Sequence, residues 1–187
     1  MLWLPDSIEP FRLASFDPGS SNVGLALLEN SLDGNDPVVR QAFTAHLKDT
    51  HPAYSEITDL HGSRTVRLMI LADIVTDFLR THRPHAVIVE SNYLGKFANS
   101  FAALVECVIV IRNALYKYDP FIPLYTVDPS TAKINAGMVK VKGTDKEDVR
   151  KALRSRTDLK WDIDIDSLDE HAVDACAIGY YYMCKVL

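Results

Sequence analysis

Three acids stand where acids are costly. Asp17 closes an apolar run and leads into Pro18–Gly19–Ser20–Ser21. Glu90 closes Ala86–Val87–Ile88–Val89–Glu90. Asp174 lies inside His171–Ala172–Val173–Asp174–Ala175–Cys176–Ala177–Ile178–Gly179. A carboxylate resists leaving water unless it is paired or coordinates a metal ion. Three of them on three otherwise apolar elements point to one metal site assembled from distant parts of the chain. His171 and Asp174 are spaced i, i+3, which puts both on one helix face and within reach of one ion.

The elements that must hold these residues can be read from the hydrophobic spacing. Residues 11–17 and 22–29 read as two strands around the Asp17 turn, and Pro37–His46 as a third, which makes a meander. Residues 47–61 are polar and read as a loop. Ser63–His82 has helical apolar spacing, and His85–Glu90 is a short continuous apolar run of the kind found in buried parallel strands. A long, largely apolar helix follows over 97–118, then a strand over Phe121–Val127. A short helix starts at Asp128–Pro129–Ser130–Thr131, which Asp128 or Ser130 can cap. Thr144–Ser155 reads as a helix opened by a Thr144/Glu147 capping box, residues 156–166 as acidic and irregular, and Ser167–Lys185 as the last helix. The expected fold is α/β: a mixed five-stranded sheet, antiparallel meander plus parallel strands, flanked by helices. Asp17 and Glu90 both fall at strand C-terminal ends, where sites form in such sheets.

The 187-residue chain has the composition of an ordinary soluble globular protein, 48% hydrophobic and 24% charged. We expect residues 1–10 to be an N-terminal extension and residues 11–187 to form one domain. No run approaches a membrane span, and the first residues read as no targeting signal. Cys107, Cys176 and Cys184 form no CxxC pair and sit in apolar helical patterns, as suits buried free thiols in a reducing compartment. The net charge of −5 argues against nucleic acid at first. The charges are uneven, however. Acids crowd 158–170, whereas 133–156 holds Lys133, Lys140, Lys142, Lys146, Arg150, Lys151, Arg154 and Arg156. That is either a local phosphate-binding patch or the solvated face of a mixed-charge helix.

With these motifs in order, the chain over roughly residues 12–185 resembles the RuvC-like Holliday junction resolvases of the ribonuclease-H-like nuclease fold. Phe16–Asp17–Pro18–Gly19–Ser20 is similar to their first acidic motif, and Val89–Glu90–Ser91–Asn92–Tyr93–Leu94–Gly95–Lys96 to the second, where an aromatic follows the acid. Asp128–Lys133 and Gly143–Lys146 resemble the region that supplies lysines near the scissile phosphate. His171–Gly179 resembles the final motif, with His171 where many members carry an acid.

The resemblance implies a metal-dependent, structure-specific DNA endonuclease that resolves four-way junctions. Two divalent ions, Mg²⁺ or Mn²⁺, would activate water and neutralise the departing oxygen. Asp17, Glu90, His171 and Asp174 would be metal ligands, Asp17 the bridging one. An imidazole at position 171 suits Mn²⁺ better than Mg²⁺, or else transfers a proton. Lys133 and Lys146 would contact the scissile or adjacent phosphate, and Lys140 and Lys142 the flanking backbone. Tyr93 would stack on a base at the junction centre, with Lys96 beside it. A two-fold junction implies a homodimer, acting in the cytoplasm of a bacterial or phage-infected cell, with no membrane partner. Two alternatives stay open: a ribonuclease-H-like nuclease acting on RNA or flaps, and a non-catalytic branched-DNA-binding module.

Overall fold

The computed structural model describes residues 9–50, 52–92, 98–138 and 147–187. Six strands form one sheet: β1 (Phe11–Asp17), β2 (Asn22–Asn30), β3 (Val38–His46), β4 (Ala86–Glu90), β5 (Leu124–Val127) and β6 (Lys160–Trp161). Their order is β5-β4-β1-β2-β3-β6. The β1–β2 and β2–β3 pairs are antiparallel, while β4 runs parallel to β1 and β5 parallel to β4. The meander and the parallel strands are as expected. The sixth strand is a correction to the five-stranded expectation. Its two residues pair with Val38 and Val39 at the sheet edge, inside the segment read as irregular. Two residues carry no alternation; the free edge of β3 supplies the pairing, through Lys160 N–H to Pro37 O and Asp162 N–H to Val39 O.

Alternation splits the sheet into two faces. Leu13, Ala26, Leu28, Ala86 and Ile88 join one core cluster with the last helix, α6 (Glu170–Lys185). Ala14, Phe16, Leu25, Val87 and Val89 join the other, beneath α2 (Ser63–His82) and α3 (Ala98–Tyr118). Between β1 and β4, Leu13 faces Ala86, Ser15 faces Ile88 and Phe16 faces Val89. One more step in that register puts Asp17 beside Glu90. Both acids follow the odd-numbered β1 face, and so lie on the α6 side.

α6 can seat so closely because two glycines give it room. A Cβ on Gly24 would lie 2.0 Å from the His171 carbonyl oxygen, and one on Gly179 would lie 2.3 Å from a Leu28 methyl. Ser15, fully buried between them, donates its hydroxyl to Ala175 O at 2.8 Å. Buried hydroxyls need such a partner.

Two further expectations change. The 47–61 loop contains a 3₁₀ turn at Pro52–Tyr54 and a short helix, α1 (Ser55–His61), with no buried residue and hence no apolar stripe to reveal it. The long helix α3 is, by length and composition alone, apolar enough to cross a membrane, with mean hydropathy 1.4 over its best window. One of its faces packs on α2 and buries Cys107, Val108, Ile111, Ala114 and Leu115, and 28% of that window is buried. The helix expected from Thr144 is described as α5 (Glu147–Arg154), and its capping box lies outside the described residues.

Candidate active site

A cleft of about 220 Å³ opens at the C-terminal ends of β1 and β4. Asp17, Pro18, Glu90, Pro129, Lys133, Glu170, His171 and Asp174 line it. Five residues singled out in the sequence thus meet in one place from four elements. β1 and β4 deliver Asp17 and Glu90 through the parallel register just described. α6 delivers His171 and Asp174 from its first two turns. The α6 start is fixed by Asp169, whose carboxylate accepts the Ala172 N–H at 3.1 Å and a bond from the Thr44 hydroxyl of β3. Lys133 comes from α4 (Pro129–Asn135), which Asp128 caps by accepting the Thr131 N–H at 2.9 Å, with Pro129 in the first turn.

The side chains pair across the cleft. His171 Nδ1 donates to Asp17 Oδ2 at 2.9 Å, and Lys133 Nζ to Asp174 Oδ2 at 2.7 Å. Ser15 and Asp17 are the only buried polar or charged residues among those described, Asp17 being 7% exposed. The Glu90 carboxyl makes no hydrogen bond to a described residue. Burial pushes its carboxyl up to about 8, the Asp17 charge adds to this, and Lys133 pulls only partly the other way. Burial also raises Asp174 despite its bond from Lys133. The hydrogen bond to Asp17 raises His171 against the effect of burial. Burial works to lower Lys133, but its bond to Asp174 and the charges of Asp174, Glu90 and Asp17 outweigh it. Like-charged carboxyls in a partly desolvated cleft produce this pattern, and it marks candidate functional sites.

The donor set fits divalent cations by its chemistry: three carboxylates and an imidazole facing one cleft, with too little positive charge to hold every acid ionised. As placed, no three His, Cys, Asp or Glu side chains among the described residues form a group that could hold an ion. Asp17 and Asp174 engage His171 and Lys133 instead. Each aspartate makes its pair through one carboxylate oxygen, Oδ2.

Three residues contribute that the sequence reading did not name as site residues. Glu170 lines the cleft, and its Oε1 is 3.7 Å from His171 Nε2. It sits four residues before Asp174 on α6, which was the available signal. Asp169 and Asp128 act as caps, and each orients a helix that carries a cleft residue. Tyr93, Lys96, Lys140, Lys142 and Lys146 lie outside the described residues. What is described of the basic segment is largely matched by acids. Arg154 pairs with Asp166, and Arg156 makes two bonds to Asp158, at 2.8 and 2.6 Å. Arg150 donates to Leu168 O at 2.6 Å. This stretch is charge-balanced, which favours the mixed-charge reading for its C-terminal half.

No family model and no curated protein matches the chain. Solved structures do. RuvC from Thermus thermophilus, solved in complex with a Holliday junction substrate, is 18% identical over 94% of this chain and 97% of that one, with a TM-score of 0.64. The yeast mitochondrial Holliday junction resolvase Ydc2 is 12% identical over 96% of this chain and 80% of its own, at 0.62. The fowlpox virus Holliday junction resolvase is 13% identical over 95% of this chain and all of its own, at 0.52. At such identities the likeness is one of fold: this chain has the ribonuclease-H-like architecture of the RuvC-type resolvases it resembles.

Proposed function

We propose that the chain is a divalent-metal-dependent endonuclease that cuts branched DNA, four-way junctions foremost, as a homodimer. The observation that supports this best is the convergence of Asp17, Glu90, His171, Asp174 and Lys133 on one cleft of a fold shared with proteins solved as Holliday junction resolvases. Bound Mg²⁺ or Mn²⁺ ions supply an activated water and neutralise charge on the leaving oxygen.

The chain's own residues do the rest. Asp17, the most enclosed acid among the described residues, would hold the ions together with Glu90, Asp174 and His171, and Glu90 must lose its proton to take part. Lys133 brings its ammonium to a phosphate in the cleft. Lys140, Lys142, Lys146 and Lys96 would add phosphate contacts, and Tyr93 a stacking surface. A symmetric junction offers two equivalent strands, and a two-fold dimer offers two equivalent clefts. The test is cleavage of a four-way junction, a Y-fork, a linear duplex and an RNA–DNA hybrid with Mg²⁺ or Mn²⁺. We expect paired nicks in the junction and little on the duplex. Preferential cutting of the hybrid would replace this reading with a ribonuclease one, and no cutting of any substrate would leave a binding module.

A further inference from the structure

Lys133 and Asp174 form an ion pair between α4 and α6 at 2.7 Å, with side chains 29% and 22% exposed. Helix-to-helix ion pairs usually brace a fold. This one differs in its setting: the lysine arrives in a cleft already holding Asp17 and Glu90, and its ammonium sits on one of the two Asp174 oxygens. We propose that Lys133 is a built-in counter-ion for Asp174, so that a divalent ion and the Lys133 ammonium compete for this carboxylate. The inference rests on the metal-dependent reading above. The chain thereby keeps its carboxylates compensated at low metal concentration. Loading also frees the Lys133 ammonium for the phosphate assigned to it, which favours ion and DNA arriving together.

The test is Mn²⁺ binding to the whole chain without DNA, read by titration calorimetry at a fixed pH. Removing an internal competitor should tighten binding. Lys133→Met should lower the Mn²⁺ Kd by about two- to fivefold, the range that a partly exposed pair supports. Lys133→Gln should repeat that result and guards against a misfolded Met variant, whereas Lys133→Arg should stay near wild type. A general loss of positive charge would tighten binding whether or not Asp174 is present. Competition at one carboxylate predicts that Lys133→Met gains nothing in an Asp174→Asn background. Unchanged or weaker Mn²⁺ binding by both neutral variants overturns the proposal, as does an undiminished gain in the Asp174→Asn background. If Asp17→Asn weakens Mn²⁺ binding while the Lys133 variants leave it unaltered, only the counter-ion role fails. If wild type takes up no Mn²⁺ at millimolar concentration, the metal reading itself fails and the counter-ion role falls with it.

Discussion

The two faces of the central sheet are built from the same strands and differ in kind. The core under α2 and α3 is made of apolar side chains: Ala14, Phe16, Leu25, Val87 and Val89 meet Phe78, Leu71 and Ile111. Phe16 and Phe78 make an edge-to-face contact there, with ring centroids 5.8 Å apart. The face under α6 carries the buried Ser15 and ends in Asp17 and Glu90. It is tight enough that Gly24 and Gly179 are the residues that fit beneath the helix. Residues that alternate along one strand therefore answer to different demands. Phe16 lowers the free energy of folding. Asp17, its immediate neighbour, raises it, because an acid is held out of water beside two others.

Adjacent substitutions should separate these demands sharply. Asp17→Asn, Glu90→Gln or Asp174→Asn should reduce junction cleavage by about a thousandfold or more, since bound ions contribute several kcal/mol to the transition state. The melting temperature should hold or rise, and junction affinity should persist, because it comes chiefly from phosphate contacts. Normal turnover by any of the three removes that residue from the site. Phe16→Ala should do the reverse. It empties a fully buried ring position, at about 3–5 kcal/mol in stability measured by urea unfolding. Well below the unfolding transition, Mn²⁺ binding should survive. A Phe16→Ala chain that is stable but cannot bind Mn²⁺ would show the two faces to be coupled.

The comparison can be sharpened with pH. In the metal-free chain the Glu90 carboxyl stands at about 8, against an ordinary value of 4.5. The folded state therefore holds this proton more tightly than the unfolded state does. Its stabilising contribution is complete below about 4.5 and is lost as pH rises through 8, with a slope of at most about 1.4 kcal/mol per pH unit. The raised Asp174 and His171 act in the same direction. Urea midpoints in EDTA should fall from pH 5 to pH 8 for wild type and fall less for Glu90→Gln. Equal slopes for the two would mean that Glu90 is ionised across this range. The other face carries His82, which packs on Phe78 and which burial holds below its ordinary value, so it acts in the opposite direction. Phe16→Ala removes no titratable group and should lower the whole curve with little change in slope.

Much of this was legible in the sequence, for definite reasons. Asp17 and Glu90 end runs whose strand character is plain, and His171 with Asp174 declares a helix face by spacing. Lys133 follows an Asp-Pro helix start. The strand register that makes neighbours of Asp17 and Glu90 is not written locally, nor are the pairs Asp17–His171 and Asp174–Lys133, 154 and 41 residues apart. Strand β6 and helix α1 escaped because neither has a buried face with a period. The sequence left Arg154 and Arg156 open between a patch and a mixed-charge face, because their partners, Asp166 and Asp158, lie in a stretch that looked merely acidic. Charge balance between segments is a tertiary property.

The smallest effect concerns Ser15, which lies on the α6 face but outside the cleft. It asks whether that face needs its polarity or only its shape. The hydroxyl is fully buried and donates to Ala175 O at 2.8 Å. Ala175 lies within α6, where a mid-helix carbonyl already accepts the bond of the next turn, so removing the hydroxyl strands no acceptor. Ser15→Ala should then cost about 1 kcal/mol, the net value of one such bond, and leave cleavage near wild type. Ser15→Val tests the shape. Ser15 Oγ lies 2.8 Å from where a Gly179 Cβ would be, and the helix backbone is close behind it. A second branch at position 15 pushes against α6, and overpacking of this kind costs about 1–3 kcal/mol. That push bears on the helix that carries His171 and Asp174, so Val should lose more stability than Ala and also weaken Mn²⁺ binding. If Val proves milder than Ala, α6 is not seated by this contact, and the closeness of helix to sheet must be set at Gly24 alone.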